Sequence, residues 1–136
     1  MADKQIMVDS TILIDYFRKT DKNNSLLVRH FKEYDRLYIS SVTEFEVING
    51  AKPSHLEFWN QMLPRFTILD FDSKAARQAA EVVGRLKIKR KSIDKPDLFI
   101  AATAVVNGLT LDTINKKHFV HIDSLDLLSD LNERRT

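Results

Sequence analysis

Short apolar runs alternate with amphipathic segments along the whole chain. The apolar runs end at polar or turn residues, which predicts β-strands. They cover residues 5–9, 36–40, 66–71, 109–113 and 118–122. Between the runs, apolar residues recur three and four positions apart, which predicts amphipathic helices. These helices cover residues 10–19, 24–34, 42–50, 53–63, 73–89 and 95–108, and the tail from Ser124 is also expected to be helical.

Capping residues support several of the helix boundaries. Ser10 or Thr11 can cap the first helix, and Ser73 can cap the helix over 73–89. Pro96 lies in the first turn of the helix over 95–108, and Gly108 ends it. The alternation of strands and helices predicts βαβ crossovers. We therefore expect an α/β fold with a mostly parallel sheet of four to five short strands, covered by helices on both faces.

Composition adds few constraints to this picture. The chain has 136 residues with 43% hydrophobic content, which fits a single domain over residues 1–136. It has no cysteine, so disulfides and cysteine zinc sites are excluded, and a reducing cytoplasm is the expected compartment. No apolar run approaches the roughly 20 residues of a membrane span, and the start lacks a secretory signal. The net charge of +2 is too small to indicate nucleic acid by itself.

Polar side chains follow two of the predicted strands. Asp9 comes directly after the first strand, and Asp112 and Thr113 end the strand over 109–113, with Asn115 and His118 just beyond. In parallel α/β sheets, functional groups gather beyond the carboxyl ends of the strands. Taken singly, each residue has a simpler explanation. Asp9 can be a helix cap, Asn115 a turn residue and His118 a capping or packing histidine.

Further acids lie on two predicted helices. Glu44 and Glu46 are two positions apart, so they do not share a helix face, and either alone can be a solvated residue. Asp97 lies in the first turn of the most apolar helix, where the helix dipole stabilises an acid and where Asp94 can be the cap. Converging carboxylates repel one another unless a cation holds them, and oxygen ligands suit Mg²⁺ or Mn²⁺. The chemistry indicated is metal-assisted phosphodiester hydrolysis.

Four stretches in this order resemble the PIN-domain ribonucleases, most closely the VapC-type toxins of type II toxin–antitoxin pairs. They are "MVDSTILIDYF" (7–17), "ISSVTEFEVINGA" (39–51), "DKPDLFIAATAVVNGLTL" (94–111) and "DTINKKHF" (112–119). The resemblance covers nearly the whole chain. It implies a PIN-like three-layer α/β/α domain that acts as an endoribonuclease.

The resemblance carries the family's acids to particular positions. Asp9 matches the first acid, Asp97 the third, and Glu46 the second because Thr43 and Gly50 stand at the family spacing. These three residues are then the catalytic residues and the ligands of Mg²⁺ or Mn²⁺. Glu44 becomes a solvent-side or supporting acid.

Two positions depart from the family pattern. Ser10-Thr11 replaces the threonine-asparagine that often follows the first acid, so Thr11 has to supply the polar contact. His118 stands where a fourth acid often precedes the phenylalanine. Asn115, Thr113 or Asp112 would then complete the site, although Asp112 falls before the expected turn.

The implied substrate is single-stranded or looped RNA, cut to leave a 5′-phosphate and a 3′-hydroxyl with one of the carboxylates as general base. RNA binding requires positive charge near the acids. The basic candidates are Lys87, Lys89, Arg90, Lys116 and Lys117, with Arg18 and Lys19 after the first helix. A solvated charged face is the alternative for the 85–91 run. Tyr16 and Phe17 are stacking candidates, with core packing as the alternative for Phe17.

The resemblance also implies a homodimer and a VapB-like antitoxin partner. Large apolar residues crowd one short helix, either as core or as a docking groove: Leu56, Phe58, Trp59, Met62 and Leu63. Three other interpretations stay open. They are a PIN nuclease that processes RNA without being a toxin, a degenerate PIN domain that binds without cutting, and a phospho-accepting signalling domain with Asp9 or Asp112 as acceptor.

Overall fold

The computed structural model describes residues 3–129 and contains a parallel sheet of four short strands. The strands are β1 (Gln5–Val8), β2 (Arg36–Ser40), β3 (Thr67–Leu69) and β4 (Leu111–Asp112). Their order across the sheet is β3-β2-β1-β4. Met7 pairs with Tyr38 on one side and Leu111 on the other, so β1 lies at the centre. The expected parallel sheet is confirmed.

Helices connect the strands and cover the sheet. They are α1 (Ser10–Arg18), α2 (Leu26–Glu33), α3 (Ser41–Gly50), α4 (Leu56–Met62), α5 (Ser73–Ile88) and α6 (Lys95–Val106). Short 3₁₀ helices lie at Lys22–Asn24, Pro53–His55, Leu63–Arg65 and Lys116–His118. The helix expected over 53–63 is thus a 3₁₀ turn followed by α4. No helix within residues 3–129 is long and apolar enough to cross a membrane.

Two hydrophobic cores lie on opposite faces of the sheet, because successive strand side chains point to opposite sides. Met7 and Leu111 pack with α5 and α6 in one core, with Ile100 among the buried residues there. Ile6 and Val8 pack with α1, α2 and α4 in the other core. The two cores produce the three-layer arrangement, and the expected α/β class is confirmed.

The observed caps differ in part from the expected ones. The side chain of Asp72, rather than Ser73, caps α5, with Oδ1 accepting from the Ala75 amide at 3.0 Å. Asp72 has the extended backbone that a cap requires, and Ser73 is already helical. Asp9 caps α1, so Ser10 and Thr11 are free for other contacts. Gly108 follows α6 at a φ of 63°, the left-handed conformation that glycine adopts without strain.

The strand expected over 118–122 is wrong. Phe119, Ile122 and Leu125 are buried at three-residue spacing, in successive turns joined by 3.1 and 3.2 Å backbone hydrogen bonds. A strand would bury every second residue, whereas this run buries every third, so its pattern does not fit a strand.

The helix expected from Ser124 is also wrong over 124–129. There the chain is non-helical, and Leu127 forms a parallel bridge to Leu111 beside β4. The amide of Leu111 donates to Asp126 O, and Leu128 N donates to Leu111 O, each at 2.9 Å. Pairing with the open edge of β4 therefore replaces helix hydrogen bonds. Residues 130–136 lie outside the described part of the chain.

Candidate active site

Asp9 lies where β1 ends and α1 begins, and its side chain is buried at 2% exposure. Its Oδ1 accepts from the Thr11 hydroxyl at 2.5 Å and from the Thr11 amide at 3.1 Å. Its Oδ2 accepts from the Thr113 hydroxyl at 2.6 Å. All of these donors are neutral, so the buried carboxylate is hydrogen-bonded by groups that carry no positive charge.

The electrostatic surroundings of Asp9 disfavour its charged form. Burial raises the pKa of this carboxyl, and the hydrogen bonds from Thr11, Thr113 and the Ile12 backbone lower it by less. The negative charge of Asp97 raises the pKa further. Asp9 and Asp97 therefore interact across the site as like charges, an arrangement that a bound cation would relieve.

Asp97 lies in the first turn of α6, which begins beyond Asp94. Its Oδ2 lies 3.2 Å from Nδ1 of His118. Asp97 and His118 share a cavity of about 370 Å³ with Asp94, Lys117 and His121. His118, at the position of the missing fourth acid, thus contacts the proposed third acid directly. The backbone of Asp94 begins the helix, and its side chain forms no capping hydrogen bond.

Glu46 is joined to the first motif through Ser10. The Ser10 hydroxyl donates to Glu46 Oε1 at 2.5 Å and thereby connects α1 to α3. Because Ser10 follows Asp9 directly, Glu46 is held close to the first acid. Glu44 lies in the first turn of α3 and is half-buried. The role of Ser10 was missed from the sequence, where this serine was considered only as a cap.

The turn between β4 and Phe119 reaches the site through its backbone as well as its side chains. Thr11 Oγ1 accepts from the Ile114 amide at 3.0 Å, and Thr113 Oγ1 accepts from the Asn115 amide at 3.0 Å. Each threonine hydroxyl that donates to Asp9 therefore also accepts a backbone hydrogen bond. Asn115 lines an adjacent cleft rather than contacting the acids.

Asp112 lies outside this group, although it pairs with Val8 on the neighbouring strand. Its Oδ1 accepts from Lys116 Nζ at 2.6 Å, and its Oδ2 lies 2.6 Å from Nε2 of His30 on α2. Burial raises the pKa of Asp112, but the hydrogen bonds and charges of His30 and Lys116 outweigh burial and lower the pKa overall. Asp112 is thus a carboxylate with its own positive partner.

His30 was missed by the sequence reasoning. It is 3% exposed and lies on the buried face of α2 with Leu27. The signal in the sequence was a histidine on an otherwise apolar helical face. Its partner, Asp112, is 82 positions away in the chain.

The basic candidates have different surroundings. Lys89 binds the Asp123 carboxylate at 2.7 Å and the His121 carbonyl at 3.1 Å, and Lys116 is held by Asp112. Lys117 lines the cavity beside Asp97. Lys87 lies in the last turn of α5, with Arg90 just beyond, and both are exposed.

A cleft of about 720 Å³ is lined both by the threonine of the first motif and by basic residues. Its lining includes the polar residues Thr11 and Asn115, the apolar residues Ile14 and Ile114, and the charged residues Asp15, Arg18 and Lys19. Lys19 is 3.7 Å from the Asp15 carboxylate, and Arg18 is exposed. The cleft therefore joins positive charge to the neighbourhood of Asp9.

Aromatic and apolar candidates mostly belong to the core. Phe17 packs against Phe58, Trp59 and His55, with ring centroids about 5 Å apart. Trp59, Met62 and Leu63 are buried, whereas Leu56 is 36% exposed. The core interpretation thus accounts for most of the apolar helix.

Only some of the acidic side chains at the site lie where they could bind one divalent ion together. Within residues 3–129 no three acidic or histidine side chains are close enough together to form a complete metal-binding group. Asp9 and Asp97 nevertheless fit a cation, since they are like charges whose interaction raises the pKa of Asp9. Carboxylate oxygens are the ligands that Mg²⁺ and Mn²⁺ prefer.

The fold and site define an α/β domain with acids beyond the carboxyl ends of a parallel sheet. The PIN domain model matches residues 6–125. The chain is 32% identical to Ribonuclease VapC1 of Methanocaldococcus jannaschii over 126 residues, covering 92% of this chain and 86% of the relative. The chain belongs to the PIN domain family, and the resemblance drawn from the four motifs is confirmed.

Solved structures agree with this assignment. One is the DNA-bound VapBC of Salmonella typhimurium, with a TM-score of 0.80 and 26% identity over 93% of this chain and 98% of that one. Another is a toxin–antitoxin complex from Klebsiella pneumoniae, with a TM-score of 0.72 and 28% identity over 91% and 96%.

Proposed function

We propose that this protein is a Mg²⁺- or Mn²⁺-dependent endoribonuclease that acts as the toxin of a VapBC-type toxin–antitoxin pair. The observation that carries the proposal is Asp9, a buried carboxylate at a strand end whose hydrogen-bond donors are all neutral and whose pKa is raised, chiefly by burial and to a smaller extent by the charge of Asp97. A buried carboxylate with a purely structural role commonly has a positive partner, as Asp112 has Lys116. A carboxylate that binds a metal ion takes its positive charge from the ion instead.

Asp9, Glu46 and Asp97 would hold the ion. When bound, a divalent ion makes water a better nucleophile at neutral pH and neutralises charge on phosphoryl oxygens. One of the same carboxylates would accept the proton of the attacking water.

The neighbouring residues orient the acids. The hydroxyls of Thr11 and Thr113 hold both oxygens of Asp9 in one orientation, and the Ser10 hydroxyl does the same for one oxygen of Glu46. His118 holds Asp97. Preorganised ligands need little reorganisation during the reaction, which supports catalysis.

RNA would approach along the cleft beside α1. Arg18 and Lys19 at its basic end and Lys117 beside Asp97 would bind phosphates on the two sides of the acids. The walls formed by Ile14 and Ile114 offer apolar contact to a base. Lys89 and Lys116 contact carboxylates at 2.7 and 2.6 Å, closer than the 3.7 Å between Lys19 and Asp15, so they contribute less to phosphate binding.

The test is cleavage of a mixed RNA pool by the free protein with Mg²⁺ or Mn²⁺, compared with Asp97→Asn and with EDTA. We expect cutting by the wild type and its loss on substitution or metal removal, and sequencing of the ends will identify the target. Asp126→Asn is the matched control, because Asp126 is exposed and accepts a hydrogen bond from Thr110 outside the site.

Equal cutting by wild type and Asp97→Asn would refute the proposed site. Binding of RNA without metal-dependent cutting would instead indicate the degenerate PIN interpretation. Isothermal titration of Mn²⁺ into wild type and Asp97→Asn gives a second readout that does not depend on finding the RNA target.

The partner proposal rests on the solved relatives, which are described as a VapBC assembly and a toxin–antitoxin complex. We propose a VapB-like antitoxin encoded beside this chain and a homodimer. Phe45 is 64% exposed and borders an apolar groove with Val42, Pro96 and Phe99, which supports an interface there. Purified antitoxin should abolish RNA cleavage. Light scattering should give a dimer mass that Phe45→Ser reduces to a monomer mass.

A further inference from the structure

A largely buried ionic cluster lies beside the proposed site, and none of its residues is a proposed metal ligand. It consists of His30, Asp112 and Lys116, here called the Asp112 cluster. Both oxygens of Asp112 are occupied at 2.6 Å, by Lys116 Nζ and by His30 Nε2. The hydrogen bonds and charges of His30 and Lys116 outweigh burial and lower the pKa of Asp112.

Stability alone does not explain such a cluster. Asp112 and His30 are 4% and 3% exposed, and moving charged or polar groups out of water has a large cost. Apolar residues of similar size often serve as well or better at buried positions. Short hydrogen bonds to a charge differ from apolar contacts in being directional, so they specify where the attached chain lies.

The cluster holds one end of the turn over residues 113–118. Lys116 donates to Asp112 at 2.6 Å and also to the Thr113 carbonyl at 3.2 Å, which closes the loop between these residues. The buried ring of Phe119, at 1% exposure, anchors the other end. The turn is thus held on both sides by groups outside the proposed site.

Every contact that the turn makes with the acids depends on its position. Thr113 donates to Asp9 at 2.6 Å, and the Ile114 amide donates to the second hydroxyl on Asp9, that of Thr11, at 3.0 Å. His118 lies 3.2 Å from Asp97. A shift of the turn would therefore disturb two of the proposed ligands together.

We propose that His30, Asp112 and Lys116 are positioning residues, which hold the 113–118 turn so that Thr113 and His118 orient Asp9 and Asp97. The consequence for catalysis rests on the proposed nuclease function. The order of the turn itself does not.

The first experiment compares Asp112→Asn with the wild type. Asparagine keeps the size but removes the negative charge, so the charge-assisted hydrogen bonds to Lys116 and His30 are weakened. Asp123→Asn is the matched control, since it breaks an Asp–Lys pair of 2.7 Å on an exposed part of the chain. Hydrogen exchange at the amides of Ile114, Asn115 and His118 measures the turn, and RNA cleavage measures its consequence.

For Asp112→Asn we expect faster exchange at these amides and a kcat about 10-fold lower, the usual size of effect when a partner of a metal ligand is disturbed. KM for RNA should change by less than about two-fold, because no proposed phosphate contact is removed. Asp123→Asn should match the wild type in hydrogen exchange of the turn and in kcat.

A second variant separates positioning from folding. His30→Leu, Asp112→Leu and Lys116→Met together replace the cluster by apolar side chains, which is expected to preserve the melting temperature. We expect this triple variant to remain folded yet keep a fast-exchanging turn and a low kcat. Recovery of wild-type kcat in the triple variant would overturn the proposal, and so would unchanged exchange in both variants.

The two proposals fail in distinguishable ways. If the wild type cuts no RNA, the nuclease function fails while hydrogen exchange still decides whether the cluster positions the turn. If the wild type cuts RNA and the exchange rates of the turn are unchanged in Asp112→Asn, only the positioning role fails.

Discussion

Asp9 and Asp112 are buried aspartates at the ends of adjacent strands, and their surroundings are opposite. The donors to Asp9 are neutral, Asp97 adds a second negative charge nearby, and the pKa of Asp9 is raised. Asp112 is bound by Lys116 and His30, and its pKa is lowered. Position in the fold is therefore a poor guide to role. The charge of the partners separates an acid suited to a cation from one that supports the structure.

The largest expected effect is on catalysis. Asp9→Asn should reduce the rate of RNA cleavage on the order of 1000-fold, since several kcal/mol of transition-state stabilisation depend on the ion. Asparagine is as good a helix cap as aspartate, so α1 should be preserved. Single-turnover cleavage under saturating metal measures the rate. A loss no larger than the about 10-fold loss expected for Asp112→Asn would contradict the distinction between the two acids.

Stability should change in opposite directions for the two acids. Asp112→Asn should lower the free energy of unfolding by about 1.5–3 kcal/mol, the usual contribution of a hydrogen bond to a charged group. Asp9→Asn should raise the stability, because the cost of burying a charge without a positive partner is removed. Urea denaturation at neutral pH with EDTA measures both variants. A loss of stability in Asp9→Asn under these conditions would mean that Asp9 has a stabilising partner.

The pH dependence of stability should separate the two acids as well. The folded pKa of Asp112 is depressed, so its contribution is fully present above the ordinary value of 3.8 and is lost as the pH falls through the folded pKa. The folded pKa of Asp9 is raised, so its ionised form weakens the fold at neutral pH, and this cost disappears as the pH falls towards 3.8.

Urea denaturation from neutral pH to below 3.8 checks this expectation. As the pH falls towards 3.8, the difference in the free energy of unfolding between wild type and Asp9→Asn should shrink. The corresponding difference between wild type and Asp112→Asn should shrink only below 3.8. The same pH window for both variants would show that the two carboxyls titrate alike.

The smallest expected effect is on RNA binding, compared between the carboxyl ends and the amino ends of the strands. Arg18→Gln removes a charge beside the cleft at the carboxyl edge, whereas Arg36→Gln removes an exposed charge at the start of β2. Arg18→Gln should weaken RNA binding and reduce the slope of log affinity against log salt by about 1. Fluorescence anisotropy with Asp97→Asn protein and labelled RNA measures the slope. Equal slopes for both arginine variants would place the RNA elsewhere.

Much of the fold followed from local pattern. The period of apolar residues located β1, β2 and most helices, and the alternation of strands and helices predicted the parallel sheet. The wrong predictions, the strand over 118–122 and the helix from Ser124, concern apolar residues that could belong to more than one kind of structure. Phe119, Ile122 and Leu125 anchor successive turns, and Leu127 pairs with the edge of β4. Local sequence contains no information about an open strand edge elsewhere in the chain.

The candidate site likewise has features that the sequence predicts and features that only the tertiary structure shows. The sequence alone determined the family and predicted its acids at Asp9, Glu46 and Asp97, because spacing and residue type within each motif are local properties. The tertiary structure alone decided that Asp112 faces His30 and Lys116 and that Ser10 contacts Glu46. Those contacts depend on the face of the sheet towards which a side chain points and on the helix that packs against that face. His30 and Asp112 are 82 positions apart, a separation over which no local pattern extends.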